Sequence, residues 1–407
     1  MVREFGAVPP PRNDRLRDPS APPRVGGGEE VRLAVTRLQL TNFRSYAAAE
    51  LNVSGRPVVL AGPNGAGKTN ILDAISLLSP GRGLRGAKLS EHIRRGPSEA
   101  LWAVAATVTR NEECYDIGTG LAYGPTGGEK RVVRLNGVAA QSSADLGDVV
   151  QMTWLTPAMD RLFIEGAGGR RRFLDRLVLG FDPAHARRAG RYETAMRERA
   201  RLLKLGPRDP MWLDGLEKEM AEAGAALAEA RAATVERLNA MLAERGEAGA
   251  FPCAQLAVQG ETDALLSEFG ADTAAKMRDL FARVRIRDAE SGQTTFGPHR
   301  SDLGVRHTAK RADARECSTG EQKALLVSIV LADAWELSRA REGRAPLLLL
   351  DEIAAHLDVH RRGALFAEIM ALGAQAWMTG TDLNLFENLK GKADVFAVDN
   401  GRFTVQE

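Results

Sequence analysis

The chain has 407 residues, 44% apolar and 27% charged, which excludes collagen-like, wholly disordered and disulfide-scaffold classes and leaves room for two or three structural units. A formal net charge of +2 makes no case for a uniformly basic molecule, so any nucleic-acid surface must be local. The apolar runs at 324–332 and 347–350 fall short of the roughly 18 residues of a membrane span, and Cys114, Cys253 and Cys317 are too scattered for a disulfide framework or zinc cluster, as suits a reducing cytoplasm.

Residues 1–30 hold Pro9 to Pro11, Pro19, Pro22, Pro23 and Gly26 to Gly28 with almost no apolar periodicity, and are expected to form a disordered leader. The segment lacks the apolar centre of a secretory signal, and Asp14, Asp18, Glu29 and Glu30 argue against a transit peptide. From Val31 to Leu40 the apolar residues alternate, the period of a half-buried strand. Pro57 to Ala61 reads as a buried strand entering a glycine-rich turn, after which Ile71, Leu72, Ile75 and Leu78 recur at helical spacing. Further strand signals at Trp102 to Val108, Arg131 to Leu135 and Met152 to Leu155 predict a sheet-rich first 160 residues.

Asp182 and Pro183 then signal a helix start, with an Arg-rich helix running to about Leu205. Leu213, Leu216, Met220, Ala223, Leu227 and Ala230 follow at coiled-coil spacing, so two antiparallel helices are expected. Residues 170–208 carry 12 basic and 4 acidic side chains, whereas residues 211–250 carry 4 basic and 8 acidic. The basic stretch could track phosphates, or its acidic neighbour could neutralise it across the hairpin. Arg82, Arg85, Lys88, Arg94 and Arg95 form a second basic segment. A Gly-rich break at 246–252 precedes renewed strand and helix signals, and Pro346 to Asp351 is another buried strand run.

The chemistry lies in three places. Gly62, Pro63, Asn64, Gly65, Ala66, Gly67, Lys68 and Thr69 match the G-x-x-x-x-G-K-[ST] phosphate loop in its strand-loop-helix setting. Its backbone N–H groups and Lys68 suit phosphates, and Thr69 suits Mg²⁺. The run at 347–350 delivers Asp351 and Glu352 to a strand end, Asp351 as a Mg²⁺ carboxylate and Glu352 as the group that orients or deprotonates water. Ser318, Thr319, Gly320, Glu321 and Gln322 open an apolar helix. His299 and Arg300 could be catalytic or DNA-contacting groups; with no metal-ligand companion nearby, a structural hydrogen-bonded pair is the favoured reading.

The order of phosphate loop, long insertion, Ser-x-Gly-x-Gln, acidic strand and His356-Leu357-Asp358 resembles the ABC-type ATPases. Within them the chain is similar to the RecF family of bacterial recombinational-repair proteins from about Val31 onward. The matching segments are Leu40 to Tyr46, the phosphate loop, Arg170-Arg171-Arg172-Phe173-Leu174-Asp175, Gly297-Pro298-His299-Arg300-Ser301-Asp302-Leu303, the Ser318 signature, and Asp351 to Asp358 with Arg361 and Leu365. The Arg170 and Gly297 segments are specific to that family. Thr379-Gly380-Thr381 stands where transporter ATPases carry a switch histidine, and Pro157 and Asp160 lie at the coupling-loop position without an assigned role.

The resemblance implies an α/β fold, an ABC-type P-loop ATPase head of residues 31–165 and 287–407 with an inserted helical lobe at 166–286. It implies ATP and Mg²⁺ as cofactors, with Arg44, the loop residues 62–69, Asn70, Ser318, Gly320, Gln322 and Asp358 around nucleotide, Thr69 and Asp351 at the metal, and Glu352 as catalytic base. It implies weak ATP hydrolysis in a nucleotide-bridged homodimer and binding of double-stranded, junction and single-stranded DNA. It also implies work with RecR and RecO in RecA loading, in the cytoplasm and without a membrane. A transporter or other non-DNA motor subunit is the alternative, opposed by the insertion and the missing histidine. A structural SMC-like clamp needs longer arms than the 249 residues between Lys68 and Ser318 allow.

Overall fold

The computed structural model describes residues 33–96, 101–111, 113–124, 127–205, 210–246, 250–399 and 401–406. The expected leader at 1–30 and Arg208 lie outside the described residues. The strands are β1 Leu33–Phe43, β2 Tyr46–Asn52, β3 Val58–Ala61, β4 Ala103–Arg110, β5 Glu113–Tyr123, β6 Glu129–Leu135, β7 Val138–Ala139, β8 Met152–Leu155, β9 Ala254–Gln259, β10 Asp302–His307, β11 Ala312–Asp313, β12 Leu347–Leu350, β13 Ala376–Gly380, β14 Asp394–Asp399 and β15 Arg402–Gln406. The helices are α1 Lys68–Ser76, α2 Ala167–Phe181, α3 His185–Leu205, α4 Pro210–Arg245, α5 Glu261–Phe269, α6 Thr273–Arg283, α7 Arg285–Ser291, α8 Thr319–Ala340 and α9 Val359–Leu372.

The central sheet has the order β15-β14-β3-β13-β12-β8, parallel except for the antiparallel β14-β15 edge pair. Its short strands are apolar on both faces because helices cover both sides. Successive side chains point to opposite faces. Val58 and Leu60, Leu347 and Leu349, and Trp377 therefore pack with Ile71, Leu72 and Ile75 of α1. Val59, Leu348, Leu350, Ala376 and Met378 pack with Ala324, Leu325 and Leu326 of α8. The phosphate-loop helix and the signature helix thus lie on opposite faces of one sheet.

A second, antiparallel sheet runs β2-β1-β4-β5-β6-β7. Its β5 carried no clear sequence signal because Gly118 and Gly120 break the apolar alternation. A Cβ on Gly120 would stand 2.8 Å from the Trp102 carbonyl oxygen, so the close strand approach is what excludes a side chain there. Gln375 couples the two sheets: its buried amide accepts from the Val35 N–H at 2.8 Å and donates to the Val35 carbonyl at 2.9 Å, beside the irregularity between Val35 and Arg37.

Helices α3 and α4 pair antiparallel, Arg191 bonding Glu219 and Arg199 bonding Glu217. The expected seam is buried at Leu213, Met220, Ala223 and Leu227. Arg199 is fully buried and also reaches Asp288 at 2.6 Å and the Phe281 carbonyl at 2.8 Å, so part of the basic stretch is neutralised internally. The Asp182 carboxylate accepts from Ala184 N–H at 3.1 Å, although regular helix begins at His185. β9 pairs along β10 across residues 286 and 287, where the expected division between lobe and head falls.

Candidate nucleotide-binding site

The loop from Gly62 to Gly67 turns sharply between β3 and α1, and two glycines are required there. At Gly67, with φ 108°, a Cβ would meet the Tyr46 hydroxyl at 2.6 Å; at Gly62, with φ 159°, it would meet the Val398 carbonyl oxygen at 2.1 Å. The Gly62 N–H donates to the Gly380 carbonyl, and the Tyr46 hydroxyl donates to the Gly67 carbonyl at 3.1 Å. Lys68 is buried and its ammonium donates to the carbonyls of Gly62 at 2.7 Å and Pro63 at 2.8 Å. Burial lowers its pKa, while the carboxylates of Glu352 and Asp351 act in the opposite sense.

Thr69 and Asp351, 282 positions apart, meet: the threonine hydroxyl lies 2.9 and 3.1 Å from the two carboxylate oxygens. On the other side of Asp351, the Thr379 hydroxyl donates to Oδ1 at 2.7 Å and accepts from the Glu352 N–H at 2.9 Å. Glu352 itself is left-handed, φ 51°, an unusual conformation for a residue with a side chain. Thr379 thus fixes both acidic residues at once. It was passed over in the sequence as a missing histidine, though strand parity with Trp377 puts it on the α1 face.

Thr69 and Asp351 supply hard oxygen ligands of the kind Mg²⁺ takes alongside substrate phosphates. Among the described residues no group of three His, Cys, Asp or Glu comes together to hold a metal. The oxygens of the Thr69–Asp351 pair would hold a Mg²⁺ that takes its remaining ligands from phosphate and water.

The other expected contacts divide. Arg44 binds Asp73 of α1, Nε and Nη2 at 3.0 and 2.9 Å, and the Glu91 carbonyl at 2.9 Å. Asn70 donates to the Ser45 hydroxyl at 2.9 Å and accepts from Arg85. Ser318 and Gly320 are exposed at the start of α8, and a Cβ on Gly320 would meet nothing within 4 Å. The Ser318 N–H and hydroxyl both donate to Glu321 at 3.0 Å, and Lys310 pairs with the same carboxylate, holding it down at about 2. Gln322 departs from expectation: it is buried and its amide donates to the Cys317 carbonyl at 2.9 Å, bracing the turn that precedes the helix. Asp358 is exposed and caps α9 by accepting from the Arg361 N–H at 2.8 Å, which lowers its pKa. Asp160, at the coupling-loop position, pairs with Lys323 of α8 at 3.0 Å.

The family model for the RecF/RecN/SMC N terminal domain matches residues 34–404. The chain is 49% identical to the DNA replication and repair protein RecF of Mesorhizobium japonicum over 368 residues, 90% of this chain and 96% of that protein. The chain belongs to the RecF family. RecF of Caulobacter vibrioides is likewise 49% identical over 385 residues, 92% of this chain and 98% of the relative. In fold, the chain is similar to the recombination mediator protein RecF solved with ATP, with a TM-score of 0.77 at 22% identity over 93% of this chain and 99% of that one. The RecF head is accordingly the α/β ATPase head expected from the motifs.

His299 and Arg300 lie in the turn Pro298–Arg300 that precedes β10. The His299 ring is held on both sides, Nε2–H donating to the Thr294 carbonyl at 3.0 Å and Nδ1 accepting from the Tyr192 hydroxyl at 2.8 Å. Burial lowers its pKa, so it is a neutral structural group, bonded to Tyr192 and Thr294 rather than to Arg300.

Proposed function

We propose that this RecF protein is an ATP- and Mg²⁺-dependent DNA-binding protein of recombinational repair and replication restart. It binds DNA at gaps and junctions, assists RecA loading with RecR and RecO, and hydrolyses ATP slowly in a nucleotide-bridged homodimer. The observation that carries the reading is the Thr69–Asp351 contact, which joins the phosphate loop to the acidic strand, with Ser318 on the helix across the sheet. An exposed signature on the opposite face suits a second copy's nucleotide better than its own. The relatives' name, DNA replication and repair protein, supports DNA work over a transporter role.

In this reading Lys68 and the loop N–H groups hold the phosphates, and Thr69 and Asp351 hold the Mg²⁺, which when bound offsets phosphate charge. Glu352, fixed through its N–H by Thr379, orients or deprotonates the attacking water. Ser318 and Gly320 of the partner copy close the site. Sedimentation of the full chain with and without Mg²⁺ and ATP, followed by duplex binding at stated salt, tests this. A monomer-to-dimer shift and ATP-dependent DNA binding are expected; a chain that stays monomeric at saturating ATP overturns the composite site.

A further inference from the structure

Two segments singled out in the sequence, residues 170–175 and 297–303, have no part in the ATP site described above. The fold nevertheless brings them together. Arg170 of α2 binds Asp302 of β10 through Nε at 2.7 Å and Nη2 at 2.8 Å, and Arg171 donates to the Ser301 carbonyl at 2.8 Å. The first turn of α2 is thereby tied to the turn that carries Arg300. The guanidiniums of Arg171 and Arg172 both lie over Gly168, Arg171 Nη2 and Arg172 Nη1 each 3.7 Å from the point where a Cβ would stand.

The local acids are already engaged. Asp302 is taken by Arg170, Asp175 by Arg231 and His185, and Asp263 accepts from the Ser301 hydroxyl. Asp263 is moreover pushed toward its neutral form by burial. Arg172 and Arg300 are exposed, and among the described residues neither has an ion pair. Arg171 is half-buried; burial and the guanidiniums of Arg231 and Arg172 lower its pKa, while the carboxylates of Asp302 and Asp175 act in the opposite sense. Exposed guanidiniums without an ion pair, such as those of Arg172 and Arg300, are complementary to a chain of phosphates.

We propose that Arg171, Arg172 and Arg300 form a contact surface for the phosphodiester backbone of DNA, built where segments 170–175 and 297–303 meet. The proposal rests on the DNA-binding reading above and names the surface that serves it. The ligand is read as a line of phosphates because the surface offers guanidinium forks, which match phosphate oxygens.

The test is duplex-DNA binding by the full chain with Mg²⁺ and ATP, titrated between about 50 and 200 mM salt. The exposed pair is altered as Arg172→Gln, Arg300→Gln and the double variant, beside Arg172→Lys. Each lost phosphate contact should reduce the slope of log affinity against log salt by about 0.9 and weaken binding about eight-fold at 0.1 M salt. Arg172→Lys should retain most of the slope, and ATP binding and ATP-driven dimerisation should match wild type. Unchanged DNA affinity and slope in the double variant overturn the proposal, as does a loss of DNA binding that accompanies loss of the dimer. A wild-type chain that binds no DNA overturns instead the functional reading on which the proposal stands.

Discussion

At the scale of single residues, the site turns on what the Thr379 hydroxyl does. It is the common partner of the Asp351 carboxylate and the Glu352 N–H, so it sets the position of the acid proposed for Mg²⁺ and of the one proposed for water. Thr379→Val keeps the shape and removes both hydrogen bonds, including that to the part-buried Glu352 N–H, at a cost of about 1 kcal/mol in stability. Hydrolysis should fall by about ten-fold or more while the Kd for ATP changes little, since the phosphate loop is untouched. Single-turnover hydrolysis beside a direct nucleotide titration checks this; unchanged turnover would limit Thr379 to a structural role. Glu352→Gln is the companion case. It preserves shape but supplies a far weaker base, so ATP should bind, hydrolysis should stop and an ATP-bound dimer should accumulate in size-exclusion chromatography.

Among elements, α8 does more than carry the signature. It runs through the core against β8 and α2, and there it buries Asp333 with its pKa raised to about 7 by burial. Thr153 of β8 and Arg176 of α2 favour the charged form, and Glu336 on α8 opposes it. Arg176 lies flat over Trp154, its guanidinium carbon 3.4 Å from the ring centroid. An acid whose folded pKa is raised stays protonated in the native chain while the unfolded chain has already lost its proton. Native stability therefore falls as pH rises between about 4 and 7, by up to about 1.4 kcal/mol per pH unit from this group, and the penalty is constant above that window. Asp333→Asn removes the ionisation. Its Tm advantage over wild type should grow from pH 5 to 7 and then level off, as thermal melts across that range would show.

At the scale of the whole molecule, the two faces of the central sheet bear on the proposed dimer. Because α1 and α8 lie on opposite faces, the exposed Ser318–Gly320 turn is free to meet another copy. Ser318→Arg places a bulky cation at that turn. It should leave ATP binding by the monomer nearly unchanged and prevent the ATP-driven dimer, because nucleotide bound in common by two copies stabilises their association by mass action. Light scattering with Mg²⁺ and ATP reads both outcomes, and normal dimerisation of this variant would put the signature outside the interface.

Legibility in the sequence followed the range of the interactions. The strand, glycine loop and helix at 58–76, the apolar run ending in Asp351 and the Ser318 helix start were readable because each is set by local spacing and backbone geometry. The seam of α4 was readable for the same reason, whereas β5 was obscured by glycines whose purpose is a neighbouring strand. The local motifs and their order, through their resemblance to ABC-type ATPases, determined an ATPase head of this class. Only the tertiary structure decided that Thr69 touches Asp351, that Thr379 serves both acidic residues, that Gln322 faces inward, and that the Arg170 and Gly297 segments share one surface. Those pairings join residues far apart in the chain, or depend on which way a side chain turns once packed. Sheet order and packing fix them, and one-dimensional spacing carries neither.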